Sequence, residues 1–160
     1  EIDVLNATGY DVVTLGNHEF DNGTTELARR LSSLDAEVVC ANYDFSGTPL
    51  EPYVKPYTIV KKAGKKIGII GLLTDISSVV DSEIAKVLQY QDPVAVTSKY
   101  ADYLKNEKGC DLVMCLSHLG YEEDKEVAAL IRNVDVIVGG YYCKGDSYFD
   151  EEQYRATDHR

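Results

Sequence analysis

Apolar residues in this chain come in short runs separated by turn residues, interleaved with stretches of helical spacing. Val12-Val13-Thr14-Leu15 is such a run, and with Tyr10 and Asp11 it predicts a buried strand over 10–15. Ahead of it, Ile2, Leu5 and Asn6 share one side of a helix end over 1–9 that Gly9 stops. Behind it, Asn22-Gly23-Thr24 reads as turn and cap for a helix over 25–34, in which Leu27, Leu31 and Leu34 recur at helical spacing. A second strand is predicted over 36–41.

Asp44-Phe45-Ser46-Gly47-Thr48-Pro49 has the composition of a surface loop. Segments 57–62 and 66–73, joined by Ala63-Gly64, predict a β-hairpin. Its second arm contains Ile67-Gly68-Ile69-Ile70-Gly71-Leu72-Leu73, and a run so nearly free of polar residues belongs to a strand covered on both faces. Asp92-Pro93 opens a helix running to 108, since proline is tolerated at the first helical position. Gly109 ends it. A strand over 111–116 then delivers Ser117-His118-Leu119-Gly120, a helix over 122–132 is acidic in its first turn and basic in its last, and a strand over 135–138 ends in Gly139-Gly140. Strand, loop, helix and strand again is the α/β rhythm, with the hairpin adding an antiparallel part.

With 160 residues, 44% of them apolar, the chain has material for one domain with a core. Its 16 basic against 27 acidic residues leave a net charge of -11, which repels nucleic acid and argues against it as a partner. No run reaches the ~18 apolar residues of a membrane span. Of the four cysteines, Cys110 and Cys115 flank one predicted strand at odd spacing, so they are expected on opposite faces as free buried thiols. The chain opens on Glu1-Ile2-Asp3, which reads as the interior of a longer protein, and no signal peptide is visible in it.

The chemistry concentrates in Gly16-Asn17-His18-Glu19-Phe20-Asp21, directly behind the first strand. Glycine lets the backbone turn, Asn17 offers a neutral oxygen to a metal, and His18 with Asp21 three residues on can form a hydrogen-bonded pair. That set suits phosphate-ester chemistry. His118 lies at the end of another strand, and because layered α/β folds gather ligands outside the carboxyl ends of their strands, the two clusters are expected to converge. Glu19 is expected to buttress the loop and Asp75 to cap a turn. Tyr53, Tyr57, Tyr100 and Tyr103 fall where half-buried rings pack, not where bases would stack.

The hexapeptide, with Gly9-Tyr10-Asp11 upstream and Ser117-His118-Leu119-Gly120 downstream, resembles the signature of the metallophosphoesterases, and within them of the secreted 5′-nucleotidase branch. The resemblance implies a four-layer α/β/β/α sandwich of mixed sheets with the site along one edge. It implies that Asn17 and His118 are ligands of the second of two divalent ions, zinc, manganese or similar. In such enzymes the ions clamp the phosphate and activate the water that attacks phosphorus. His18 would contact the scissile phosphate and stabilise charge on the leaving oxygen, with Asp21 holding and polarising its imidazole. The implied substrate is a small phosphate ester such as a nucleotide, hydrolysed at its 5′-phosphate. Related branches act on cyclic nucleotides, nucleotide sugars or sulfur-bearing substrates. The implied location is periplasmic or secreted.

Two departures from the family pattern qualify these expectations. The family's opening strands carry Asp-x-His and Gly-Asp, which supply the first metal's ligands, and this chain starts after both. Where the family continues Gly-Gly-His, Gly139-Gly140 is followed by Tyr141-Tyr142-Cys143, a poor ligand set even if Cys143 offers a thiolate. Residues 1–140 therefore read as a partial, incomplete metallophosphoesterase domain, and 141–160 as a divergent polar tail, disordered or frame-shifted. The family's separate carboxyl-terminal substrate domain is missing. The chain alone is expected to be inactive and to expose apolar sheet surface, and a non-catalytic binding domain on the same scaffold is the alternative.

Overall fold

The computed structural model describes residues 2–77, 84, 86 and 88–140. Residues 141–160, including Cys143, lie outside the described part. Two sheets form the centre. The first is parallel, in the order β1 (Val12–Thr14), β2 (Glu37–Val39), β4 (Val54–Lys55). The second is mixed, in the order β5 (Tyr57–Lys62), β6 (Lys65–Leu73), β8 (Leu112–His118), β9 (Val136–Gly139). Its β5–β6 arm is the predicted antiparallel hairpin, while β6–β8 and β8–β9 are parallel. A two-residue antiparallel pair, β3 (Tyr43–Asp44) with β7 (Gln89–Tyr90), lies beside them.

The sheets approach each other so closely that the Ala41 amide donates directly to the Gly71 carbonyl at 2.7 Å. A Cβ on Gly71 would fall well inside contact of Val39 O and 2.9 Å from Cys40 N. Odd positions of β6 therefore face the first sheet, and even ones face outward, where a Cβ on Gly68 would meet Leu104. Helices cover both outer faces. On the first sheet, Leu27, Ala28 and Leu31 of α2 (Gly23–Leu31) share a core with Val13, Val38 and Val54. On the second, Val96 and Ala101 of α3 (Pro93–Asp102) and Val127 of α4 (Tyr121–Leu130) pack with Ile70, Leu72, Val113 and Cys115. The order α/β/β/α is the four-layer sandwich, and a short helix, α1 (Ile2–Thr8), precedes β1.

Several elements differ from their predicted form. The helix predicted to run to 108 changes at Tyr103–Glu107 to a π-helical turn, with Lys108 N bonded to Tyr103 O at 3.0 Å, and the wider turn seats Leu104, fully buried, over Gly68. The last helix stops at Leu130, before Arg132, because Ile131 is already extended, so its last turn carries no basic residue. Cys110 and Cys115 do not face opposite ways: Cys110 precedes the strand, outside its alternation, and turns into the same core. Cys40, Cys110 and Cys115 are buried free thiols. The inner face of β8 and β9, formed by Met114, Leu116, Val136 and Val138, is apolar and incompletely covered, Val138 being 47% exposed. Apolar sheet surface is thus exposed where the three-stranded sheet ends at β1.

Candidate active site

Leu15 and Phe20, almost fully buried, pin the two ends of the hexapeptide into the first core. Between them Asn17–Phe20 forms a single 3-10 turn, and the Gly16 amide donates to the Glu19 carboxylate, which buttresses the loop as expected. Gly16 has an ordinary extended backbone, φ -106° and ψ 171°, so the turn does not require glycine there. Space does. A Cβ on Gly16 would lie 2.6 Å from Glu19 Oε2 and 2.9 Å from the His118 ring, so a bare Cα lets the imidazole reach the loop.

The strand ends do converge. His118 is the last residue of β8, paired in register with Leu73, so the strand runs two residues further than the sequence pattern indicated. Its Nε2 stands 3.1 Å from Asn17 Oδ1 across 101 positions of sequence. Asn17 is only 4% exposed. Burial lowers the basicity of His118, the Glu19 carboxylate acts the other way, and His18 adds to the lowering. The outcome favours a neutral ring, the form that can give a nitrogen lone pair to a metal.

His18 and Asp21 form the second pair. His18 Nδ1 lies 3.1 Å from Asp21 Oδ2 and 3.3 Å from Oδ1, so the Nδ1 proton is directed at the carboxylate. The His18 side chain is 78% exposed, which leaves Nε2 turned toward solvent, open to an incoming ligand.

A neutral amide oxygen and an imidazole nitrogen, brought together by two sheets beside a carbon too crowded for a Cβ, fit one side of a divalent-metal site. They supply two donors. Among the described residues no group of three or more His, Cys, Asp or Glu side chains is gathered to hold an ion.

Other residues position the site without a clear signal in the sequence. Thr74 N donates to His118 O at 3.0 Å. Asn42, wholly buried, accepts from Leu73 N at 2.9 Å and donates to Leu73 O at 2.6 Å, clasping the end of β6. The Tyr43 hydroxyl donates to Thr74 O and accepts from Ile76 N. Ser117 Oγ donates to Asp124 Oδ1. The polar character of Asn42 and Tyr43 within an apolar stretch was the available signal. Asp75 accepts from Ser77 N and caps a turn, as expected. Tyr100 and Tyr103 each pack on Tyr57, with ring centroids 5.4 and 5.8 Å from it. No helix among the described residues is long and apolar enough to cross a membrane.

No family model matches the chain. It is 37% identical over 146 residues to the "Probable 5′-nucleotidase" of Treponema pallidum, a match covering 89% of this chain and 24% of that protein. The 5′-nucleotidase precursor of Thermus thermophilus superposes with TM-score 0.82 at 36% identity, over 88% of this chain and 27% of that one. The calcineurin-like phosphoesterase YfkN of Bacillus subtilis does so with TM-score 0.75 at 30% identity, over 88% and 47%. The chain spans about a quarter of the length of the curated relatives it matches. In sequence over almost nine-tenths of its length, and in the shared sandwich, the chain is similar to part of the 5′-nucleotidases and calcineurin-like phosphoesterases.

Proposed function

We propose that this chain carries part of the hydrolytic site of a nucleotide phosphoesterase: Asn17 and His118 as ligands of one divalent ion, His18 and Asp21 as the dyad at the leaving group. The observation that carries the proposal is the meeting of Asn17 Oδ1 and His118 Nε2 at 3.1 Å, beside the exposed His18–Asp21 pair. Divalent ions, when bound, supply Lewis-acid polarisation of the phosphate and an acidified water. The chain's own residues do the rest. Buried Asn17 fixes one donor and neutral His118 another. Asp21 accepts a hydrogen bond from Nδ1–H of His18 and so orients the ring. In its doubly protonated form His18 also carries a proton on Nε2, which faces outward to be donated to the ester oxygen as negative charge develops there.

Residues 1–140 act as one part of the catalytic domain, and further ligands and the nucleoside grip come from elsewhere in the whole protein. A periplasmic or secreted location is part of the same proposal and is supported by the family resemblance. The test is phosphate release by the intact protein with added manganese or zinc, across nucleoside 5′-monophosphates, cyclic nucleotides, nucleotide sugars and simple esters. Release from 5′-monophosphates that His18→Ala and His118→Ala each abolish is expected. No release from any ester would reject the proposal, and the additional absence of saturable metal binding would favour a non-catalytic binding domain.

A further inference from the structure

We propose that Asp124 is a positioning residue for His118, acting through Ser117, and that Gly139 lacks a side chain so that the Asp124 carboxylate can take its place. Three acids open α4, namely Glu122, Glu123 and Asp124. Glu122 and Glu123 lie at the surface, whereas Asp124 turns inward, partly buried, where Ser117 Oγ donates to its Oδ1. The same Ser117 oxygen accepts from Leu119 N at 3.2 Å. These two bonds straddle His118, one made by the residue before it and one by the residue after. The neighbouring strand ends complete the clamp: Gly140 N donates to Ser117 O at 2.8 Å, and Thr74 N to His118 O at 3.0 Å.

A carboxylate held by one hydroxyl, with no basic side chain paired to it among the described residues, is a costly group to bury. Room is kept for it. A Cβ on Gly139 would lie 2.5 Å from Asp124 Oδ2. The Gly139-Gly140 pair thereby has a role in the site that is independent of the residues after Gly140. Outer partners of this kind set the direction in which a ligand's lone pair points.

The consequence for metal affinity rests on the proposed function; the consequence for the His118 ring does not. Both are measured on the intact protein. Manganese binding is titrated by electron paramagnetic resonance for Asp124→Ala, Ser117→Ala, the double variant, Asp124→Asn and Gly139→Ala, with Glu126→Ala on the exposed side of α4 as control. The His118 ring nitrogens are followed by NMR in the metal-free protein. Asp124→Ala and Ser117→Ala are each expected to weaken manganese binding about tenfold. The double variant should be no weaker than either, because the two act as a unit. Asp124→Asn, whose amide oxygen still accepts the hydroxyl, should restore affinity and the His118 ring signals, while Gly139→Ala should behave like Asp124→Ala.

Unchanged affinity in Asp124→Ala, or equal loss in Asp124→Asn and Asp124→Ala, would overturn the inference. If Asp124→Ala does not fold, Ser117→Ala and Asp124→Asn carry the same comparison. If the unmodified protein binds no manganese, the proposed function falls and the ring signals decide alone. Signals displaced in Asp124→Ala and restored in Asp124→Asn would uphold the inference, and signals that stay put would overturn it.

Discussion

Substituting Gly71 by alanine tests the close approach of the two sheets on which the site depends. The added methyl would meet the Val39 carbonyl and the Cys40 amide, both backbone atoms of the facing segment, so no side chain can move aside. To restore ordinary contact, the strands must separate by roughly 1 Å. That displacement strains the core by about 1–3 kcal/mol. It also stretches the Ala41–Gly71 hydrogen bond of 2.7 Å, whose loss costs about 1 kcal/mol. A total of about 2–4 kcal/mol is a large part of the ~5–15 kcal/mol that holds such a domain together. With a urea slope of roughly 2 kcal/mol/M, the unfolding midpoint should fall by about 1–2 M. Gly68→Ala is the comparison, because the nearest atoms to its methyl would belong to the Leu104 and Cys110 side chains, and it should cost about 1 kcal/mol. Equilibrium urea unfolding of the intact protein, followed by circular dichroism, measures both. A Gly71→Ala midpoint within error of the unmodified protein, or less affected than Gly68→Ala, would refute the backbone contact between β2 and β6.

Three further predictions concern the rest of the molecule. Asn42→Leu leaves the Leu73 amide and carbonyl buried without their clasp and should cost about 2–4 kcal/mol in the same unfolding measurement; a cost below that of an average surface change would contradict the clasp. Burial pushes the Cys40 thiol from 9.0 up to about 12 and raises Cys115 in the same direction. Because the unfolded thiols ionise first, their contribution to stability is intact below pH 9 and declines as pH rises toward 12. In a Cys143→Ser background, thiol labelling at pH 8 should therefore wait for unfolding, and prompt labelling would contradict the burial. Val138→Lys should reduce self-association in analytical ultracentrifugation by placing a charge on the uncovered face of β8 and β9; equal association in both proteins would show that this face is not the adhesive one.

The hairpin and the main strands were legible because each long apolar run and each helical repeat has one period, as in Ile67 to Leu73 and in Leu27 and Leu31. Strands of two residues, such as Tyr43–Asp44, Val54–Lys55 and Gln89–Tyr90, carry no period and escaped prediction. The residue types at Asn17, His18, Asp21 and His118 pointed to phosphate-ester chemistry, and the strand-end rule pointed to their convergence. The reason for Gly16 was legible only in three dimensions, since its backbone is ordinary and the constraint comes from a ring 102 positions away. Asp124 was hidden by company: three successive acids all satisfy the helix dipole, and only packing turns one inward.

The most direct test of a single site built from both strand ends is a double-mutant cycle between Asn17 and His118 in zinc binding to the intact protein, read by calorimetry. If Asn17 Oδ1 and His118 Nε2 serve one ion, each alanine substitution should weaken binding at least tenfold, by roughly the measure of a lost ligand-shell interaction. The double variant should lose less than the two separate losses combined. Binding untouched by either substitution, or losses that simply add as for independent sites, would contradict the account.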